Sequence, residues 1–267
     1  MSATAPAGPV VVGIDGSKHA LRAAKWAAFE AAGRDTALRL VSVIEAGDQD
    51  SIDRAQRDLH AAWKAVRDTD VEIKLESEIV SGSPAQCLID ESRGAALVCV
   101  GDRGTHDSPK GCRGATAAEV ARRASGSVAI ISREHGNGAF DRRKWIVVIM
   151  DESDAAAAVF AAAQDEAQWR AAPVLILEPW THATPSHEVK HPARAIVDRY
   201  MKDSDDGLIQ SVSLPMPEHL GNLLRQSASI DQLVIVAGDR SDLVDDLTST
   251  ATHKYLRDSD CSLMFVR

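Results

Sequence analysis

The sequence predicts an α/β protein made of two tandem doubly wound domains, each a five-stranded parallel sheet flanked by helices. Short runs of Val, Ile and Leu alternate with amphipathic helical segments, which is typical of parallel βαβ units. This pattern restarts after a polar, glycine-containing segment, and 267 residues suffice for two domains of ordinary size. Aromatic residues are scarce, at 4%, and alanine is abundant, which suits helices packed closely on a sheet.

Hydrophobic periodicity indicates the first three strands and two helices. The apolar run "PVVVGID" at 9–15 predicts a strand. Four residues then recur at helical spacing: Leu21, Ala24, Ala28 and Ala31. A second strand is predicted at 37–45, and the segment 52–66 carries five apolar residues on one helical face: Ile52, Ala55, Leu59, Trp63 and Val66. Alternation of apolar and polar residues at 71–79 is typical of a strand near a sheet edge.

The rest of the first half begins with a helix signal. Ser83 is a predicted N-cap, Pro84 takes the first helical position, and Gln86 stands three residues after the cap, as in a capping box. The wholly apolar "ALVCVG" at 96–101 is typical of a strand covered on both faces. A helix at 115–124 and the strand "SVAIIS" complete this half.

The second half repeats the plan of the first. After the polar segment "REHGNGAFDRRK", the run "KWIVVIMDESDAAAAVF" matches the start of the chain at a constant offset of 136, so that Asp151 falls on Asp15. Farther on, "LVIVAGDR" echoes "LVCVGDRG", and the terminal "CSLMFVR" echoes "SVAIISR". This internal duplication predicts a domain at 1–135, a linker at 136–143 and a second domain at 144–267.

Composition and charge exclude several classes of function. The formal charge of −9 counts against nucleic acid as a partner, because such binding depends on cationic neutralisation of phosphates. No apolar stretch approaches the roughly 18 residues that span a bilayer, and the first residues lack a signal-peptide pattern. The four cysteines have no metal-ligand spacing, and Cys99 and Cys261 fall in apolar runs. We therefore expect a cytoplasmic protein with reduced thiols, no metal site and no membrane partner.

Candidate ligand-binding residues lie at or just after the carboxyl ends of the predicted strands. In open parallel sheets, ligands bind beyond the carboxyl ends of the strands, where the strand order reverses. Asp15 ends the first strand, Val43 lies near the end of the second, and a glycine loop follows the fourth. Gly101 and Gly104 permit close backbone approach, and Gly114 opens a helix whose N-terminus attracts anions. The spacing matches neither GxxxxGK[ST] nor GxGxxG, so an ordinary glycine-rich turn is the alternative.

These glycines resemble the pattern of a known family. Gly101, Gly104 and Gly114 have the spacing of Gly, two residues, Gly, nine residues, Gly that marks universal stress protein domains. The segment "GIDGS" after the first strand fits the same family. The resemblance covers the first half well and the second half in outline, so the chain is similar to a tandem universal stress protein of the bacterial kind.

The resemblance implies an adenine-nucleotide site in the first domain, with ATP, alone or with Mg²⁺, as the ligand. The residues that would hold adenosine are Gly13, Ile14, Asp15 and Val43. Those that would line the phosphates are Gly101, Gly104, Gly114, Ala115 and Thr116. Ala115 stands where the family has Ser or Thr, and losing one hydroxyl contact, worth about 0.5–1.5 kcal/mol, would weaken ATP binding up to about tenfold.

Several loop residues carry two interpretations. Asp15 is either a nucleotide contact or a cap of the next helix. Lys110 and Arg113 are either phosphate contacts or surface residues, and Cys112 lies in the same loop.

The second domain lacks the features of a phosphate site. Gly238 is the last glycine of the chain, and three acidic residues follow it: Asp242, Asp245 and Asp246. At the positions that match two glycines of the first half, Gly13 and Gly16, the second half has Ile149 and Glu152. The resemblance therefore implies a second domain without ATP that pairs with the first as an internal pseudo-dimer, which would stand alone or pair again as a homodimer.

The leading interpretation is a cytoplasmic stress-response regulator that binds ATP in its first domain and has an unidentified protein partner. No general base or nucleophile pair is evident, so at most weak ATPase activity is expected. A protein-interaction module without nucleotide is the alternative, and Ala115 favours it. An ATP-pyrophosphatase enzyme would need Ser-Gly-Gly-x-Asp-Ser after the first strand, which "GIDGSKH" is not. A phospho-receiver domain would need an acidic pair there.

Overall fold

The computed structural model describes residues 8–45, 47–105, 114–132, 145–149, 155–180, 209–215, 232–239, 241–249 and 261–267. Apart from residues 248–250, the chain divides between residues 134 and 135 into two compact units. The N-terminal one is termed unit 1 and the C-terminal one unit 2.

Unit 1 alternates strands and helices, as predicted. Its strands are β1 (Val10–Ile14), β2 (Leu38–Ile44), β3 (Leu75–Ser81), β4 (Leu97–Gly101) and β5 (Val128–Ile131). Its helices are α1 (Lys18–Gly33), α2 (Gln49–Arg67), α3 (Pro84–Glu91) and α4 (Ala115–Arg123). Neighbouring strands run parallel in the order β3-β2-β1-β4-β5, which confirms the doubly wound sheet.

The position of each strand in the sheet of unit 1 follows from its composition. The apolar strands β1 and β4 lie inside the sheet and are buried almost throughout. The edge strand β3 mixes polar and apolar residues and is only partly buried. It begins at Leu75 rather than at the predicted Val71, because its neighbour β2 begins pairing at Leu38, which lies opposite Leu75.

Helix starts in unit 1 differ in how they are capped. The Ser17 hydroxyl caps α1 by accepting a hydrogen bond from the Ala20 N–H at 3.0 Å. Helix α3 begins at Pro84, as predicted, but the capping box predicted there is wrong. Ser83 makes no side-chain capping bond. The Gln86 amide instead donates to an oxygen of Asp90 at 3.2 Å.

Unit 2 has the same connectivity in the part of the chain that the structure describes. Its strands are β6 (Trp145–Ile149), β7 (Val174–Trp180), β8 (Ile209–Pro215), β9 (Gln232–Ala237) and β10 (Cys261–Val266), and its described helices are α5 (Ala156–Arg170) and α6 (Ser241–Thr248). The strands pair in parallel in the order β8-β7-β6-β9-β10, which repeats the order of unit 1. The second doubly wound sheet is thus confirmed.

Both units bury an ion pair near the end of their first helix. In α1 the fully buried Glu30 contacts the guanidinium of Arg34. In α5 the fully buried Glu166 accepts from Arg170 Nε at 2.7 Å. Both residues of each pair match at the offset of 136, so the duplication retains a buried charge pair as well as the strand plan.

The described cysteines behave as packing residues. Cys99 and Cys261 are fully buried and unbridged, as predicted, and Cys87 is a half-buried thiol. Among the described helices, none is long and apolar enough to cross a membrane.

Candidate functional site

The carboxyl ends of β1 and β4 meet where the strand order of unit 1 reverses. From β1 the chain proceeds to β2 on one side and then returns to β4 on the other. This switch point is where doubly wound sheets bind ligands. The structure places Gly13 and Ile14 at the end of β1, Val43 near the end of β2 and Gly101 at the end of β4. The residues predicted to hold adenosine therefore lie at one edge of the sheet.

The glycine loop begins in close contact with the start of α1. A Cβ atom on Gly101 would lie 2.7 Å from the carbonyl carbon of His19 and 2.9 Å from the nitrogen of Ala20. Because those are backbone atoms, only glycine fits. The next residue, Asp102, is buried, and its Oδ1 lies 2.6 Å from His19 Nδ1.

The following loop residues contact the turn before α1. The Ser17 hydroxyl donates to the carbonyl of Arg103 at 3.3 Å. The Thr105 N–H donates to Asp15 Oδ2 at 3.1 Å. Residues 101–105 thus meet residues 15–20 in reverse order, and this set of contacts is termed the loop–helix interface. It fixes the first part of the glycine loop to the end of β1.

Asp15 joins two loops and does not cap α1. Its Oδ1 accepts from the Ser17 N–H at 3.0 Å, and Oδ2 accepts from Thr105. The capping role belongs to Ser17. A Cβ on Gly104 would lie 2.8 Å from Asp15 Oδ2, so glycine at this position leaves room for the carboxylate. Asp15 is nevertheless exposed and accessible to a ligand.

A second carboxylate lies beside the end of β1. Gly16 has a φ of +79°, and a Cβ there would lie 2.5 Å from Oδ1 of Asp58 on α2. Burial raises the pKa of the Asp58 carboxyl, and the negative charge of Asp15 adds to the rise. Gly13, like Gly16, has little room for a side chain, because a Cβ there would lie 2.9 Å from Leu88 Cδ1.

The glycine loop ends at the N-terminus of α4. Gly114 is the N-cap and has no side chain to accept from the first-turn N–H groups, unlike the caps of α1 and α2. Its own N–H donates to the carbonyl of Asp102 at 2.7 Å, which joins the two ends of the loop. Ala115 is exposed and Thr116 is half-buried. The open first turn of α4 provides backbone donors and a positive dipole end for an anion.

Part of the predicted phosphate site lies outside the described residues. Lys110, Cys112 and Arg113 belong to segment 106–113, which falls there. Among the residues that the structure does describe, no group of three or more His, Cys, Asp and Glu side chains could hold a metal ion.

Unit 2 differs at the corresponding edge. Ile149, the counterpart of Gly13, is buried with 2% exposure at the end of β6. Only three residues, 238–240, separate β9 from α6, whereas thirteen residues, 102–114, separate β4 from α4. Asp242 lies in the first turn of α6, and Asp245 and Asp246 lie one turn further; all three are exposed. Glu152 and Asp151 lie outside the described residues.

Three residues of the site carry no motif signal in the sequence. His19, Asp58 and Asp102 come into the site through contacts between segments that are far apart in the chain. Asp102 lies within the recognised stretch "GDRG" and His19 two residues after "GIDGS", but nothing in their spacing indicates that they touch.

This fold defines a class of protein: the doubly wound α/β proteins, in which ligands bind at the strand-order switch. A model of the universal stress protein family matches residues 7–132. The chain is also 32% identical to a universal stress protein of Mycobacterium tuberculosis, over 97% of this chain and 96% of that protein. A second universal stress protein of that species is 33% identical, over 96% and 95% of the two chains. The chain belongs to the universal stress protein family.

Solved structures agree with the fold. A universal stress protein from Archaeoglobus fulgidus superimposes with a TM-score of 0.71 and 13% identity, covering 97% of this chain and 96% of that one. A protein of unknown function from Pseudomonas aeruginosa gives a TM-score of 0.62 at 14% identity, covering 97% and 92%. Both structures match the chain across the two units.

Proposed function

We propose that this protein is a cytoplasmic stress-response regulator whose unit 1 binds an adenine nucleotide, ATP alone or with Mg²⁺, and whose unit 2 binds none. One observation carries the proposal: Asp15 and the glycine loop are joined at the strand-order switch by the hydrogen bond from Thr105 N–H to Asp15 Oδ2. The two segments that the family resemblance assigns to adenosine and to phosphate therefore form one continuous edge.

The phosphate part of the proposal is supported by the two ends of the loop. Gly104 leaves the backbone accessible beside Asp15, and Gly114 leaves the first turn of α4 without a side-chain cap. Phosphate oxygens are strong acceptors for such backbone N–H groups, and the helix dipole adds to the attraction. Ala115 and Thr116 follow at the positions where phosphate contacts are expected.

The adenosine part is supported by the ends of β1 and β2. Asp15 is an exposed acceptor that suits the hydroxyls of ribose or the amino group of adenine. Gly13, Ile14 and Val43 lie beside it at the same sheet edge. In unit 2 the bulk of Ile149, the short 238–240 link and the exposed carboxylates of α6 all oppose an anionic nucleotide.

A protein-interaction module without nucleotide is the second candidate function. The observation that favours it is Ala115, which is exposed at the first position of α4 and supplies no hydroxyl. In that case the glycine loop serves only as a turn, and the function resides in a protein partner.

Calorimetric titration with MgATP separates the two candidates. The first variant, Gly114→Glu, places bulk and negative charge at the start of α4. A Cβ at this position meets backbone neighbours at 3.4 Å or more, and circular dichroism of the variant checks that it folds, because Gly114 is buried. The control is Gly94→Glu, because Gly94 is exposed and has no atom within 4 Å of an added Cβ.

We expect one site per chain in the wild-type protein and in Gly94→Glu, and loss of binding in Gly114→Glu. Two sites per chain would contradict the assignment of unit 2. Absence of binding up to millimolar ATP would reject the nucleotide proposal and leave the interaction module.

A further inference from the structure

Two polar side chains, the half-buried His19 and the buried Asp102, contact each other at the start of the glycine loop without belonging to the predicted ligand contacts. His19 is the second residue of α1, and Asp102 is the first residue after β4. Their Nδ1 and Oδ1 atoms are buried and 2.6 Å apart, with side-chain exposures of 14% and 4%. Two lone pairs facing each other at this distance would repel, so the contact is favourable only with a hydrogen on Nδ1.

Asp102 connects three elements that surround the loop. Its side chain contacts α1 through His19. Its backbone N–H donates to the Ile131 carbonyl of β5 at 3.0 Å, and its carbonyl accepts from the Gly114 N–H at 2.7 Å. The position of Asp102 therefore determines where the glycine loop starts and where α4 begins.

The contact with His19 is the side-chain link between Asp102 and helix α1. Arg103 Nε lies farther away, 3.9 Å from the other carboxylate oxygen. A buried carboxylate is costly unless a donor or positive charge faces it. Removing the imidazole breaks the side-chain link between Asp102 and α1, and any shift of Asp102 that follows displaces both ends of the loop.

We propose that His19 and Asp102 form the positioning pair of the phosphate loop. The pair holds Asp102 so that the first turn of α4 stays aligned for a phosphate chain and Thr105 stays bonded to Asp15. This inference rests on the nucleotide-binding function proposed above. Neither residue is among the predicted ligand contacts, so the pair acts on the phosphate part of the site and leaves the adenosine part, at the ends of β1 and β2, unchanged.

The test compares ATP with adenosine in variants of the pair. We expect His19→Ala and Asp102→Ala each to lower ATP affinity about tenfold and to leave adenosine affinity within about twofold. The double variant should bind ATP no more weakly than the weaker single variant, because the two residues act through one contact. Asp102→Asn keeps an oxygen acceptor for the Nδ1–H and should lose less than about threefold. His60→Ala is the control, because His60 is exposed on α2.

A second readout does not depend on nucleotide. In the ligand-free protein, amide hydrogen exchange at Thr105 should accelerate in Asp102→Ala and remain near wild type in Asp102→Asn. If the alanine variants fail to fold, His19→Phe keeps the volume of the ring and removes its donor, so it makes the same comparison.

Three outcomes overturn the positioning role while leaving nucleotide binding intact. They are equal loss of ATP and adenosine affinity, additive effects in the double variant, and Asp102→Asn as weak as Asp102→Ala. If the wild-type protein binds neither ATP nor adenosine, the proposed function itself fails and the positioning role fails with it. The two failures are therefore distinguished by the wild-type titration alone.

Discussion

Unit 1 and unit 2 share the features that build the sheet and differ at the predicted ligand site. Both have the same parallel strand order, and both bury a Glu–Arg pair at the end of the first helix. Only unit 1 has a thirteen-residue glycine loop between its fourth strand and the next helix. The comparison shows which residues the fold requires in both copies and which were retained in one copy for another reason.

The shared ion pairs give the largest expected effect on stability. Arg34→Ala and Arg170→Ala should each lower the free energy of unfolding by about 3 kcal/mol, because each leaves a fully buried glutamate without its guanidinium. Urea unfolding followed by circular dichroism measures the loss, and MgATP titration should be unchanged in both folded variants. A large effect in one unit alone would show that the pair is not a shared requirement of the fold.

Substitution of Gly101 tests a position at which the two units have different residues. Gly101→Ala should cost about 2 kcal/mol and remove ATP binding, because the new Cβ would overlap backbone atoms of α1. Unit 2 already has alanine at the matching position, the buried Ala237. The reverse change, Ala237→Gly, should cost about 1 kcal/mol and leave ATP binding intact. If Gly101→Ala and Ala237→Gly lowered ATP affinity equally, the proposal that only unit 1 binds ATP would be contradicted.

Asp15 and its counterpart Asp151 allow the two units to be compared at the predicted nucleotide site. Asp15→Ala removes the acceptor for two backbone N–H groups, so we expect about tenfold weaker ATP binding and a stability loss of about 1 kcal/mol. Asp151→Ala, its counterpart by sequence offset, should leave ATP binding unchanged. Calorimetry on the two variants checks both statements, and weakened binding in Asp151→Ala would place a nucleotide in unit 2.

The smallest expected effect concerns the second carboxylate of unit 1. Burial and Asp15 raise the pKa of Asp58 in the folded protein, so protonation of Asp58 favours folding. This contribution is fully present below about pH 4 and is lost as the pH rises through the folded-state pKa. Asp58→Asn is neutral throughout, so its Tm should exceed that of wild type at pH 7 and approach it near pH 4. A Tm difference that grows toward low pH would contradict the raised pKa.

The strand plan of this fold could be predicted from the sequence, because hydrophobic runs carry it directly. The Val-rich β1 and the wholly apolar β4 fell within one residue of their predicted bounds. The fifth strand of the second domain, β8, was expected but not located, since "IQSVSLP" alternates weakly and ends in proline. The capping box at Ser83 failed because Gln86 hydrogen-bonds within α3 and with Arg123 of α4.

The candidate site could be predicted only where glycine spacing marks it. Gly101, Gly104 and Gly114 stand at a recognisable interval, and Asp15 directly follows a strong strand signal. The contact of His19 with Asp102 depends instead on how closely β4 approaches α1, which no local pattern encodes. Tertiary contacts of this kind become visible only once both segments are placed in space.

The short link between β9 and α6 has a consequence for the history of the chain. A point mutation can exchange Ile149 for glycine or neutralise Asp242, but it cannot lengthen the three residues 238–240. Giving unit 2 a loop as long as that of unit 1 requires an insertion of about ten residues. Substitutions alone therefore cannot convert the second copy into a second site of the same kind, whereas a single substitution can damage the first.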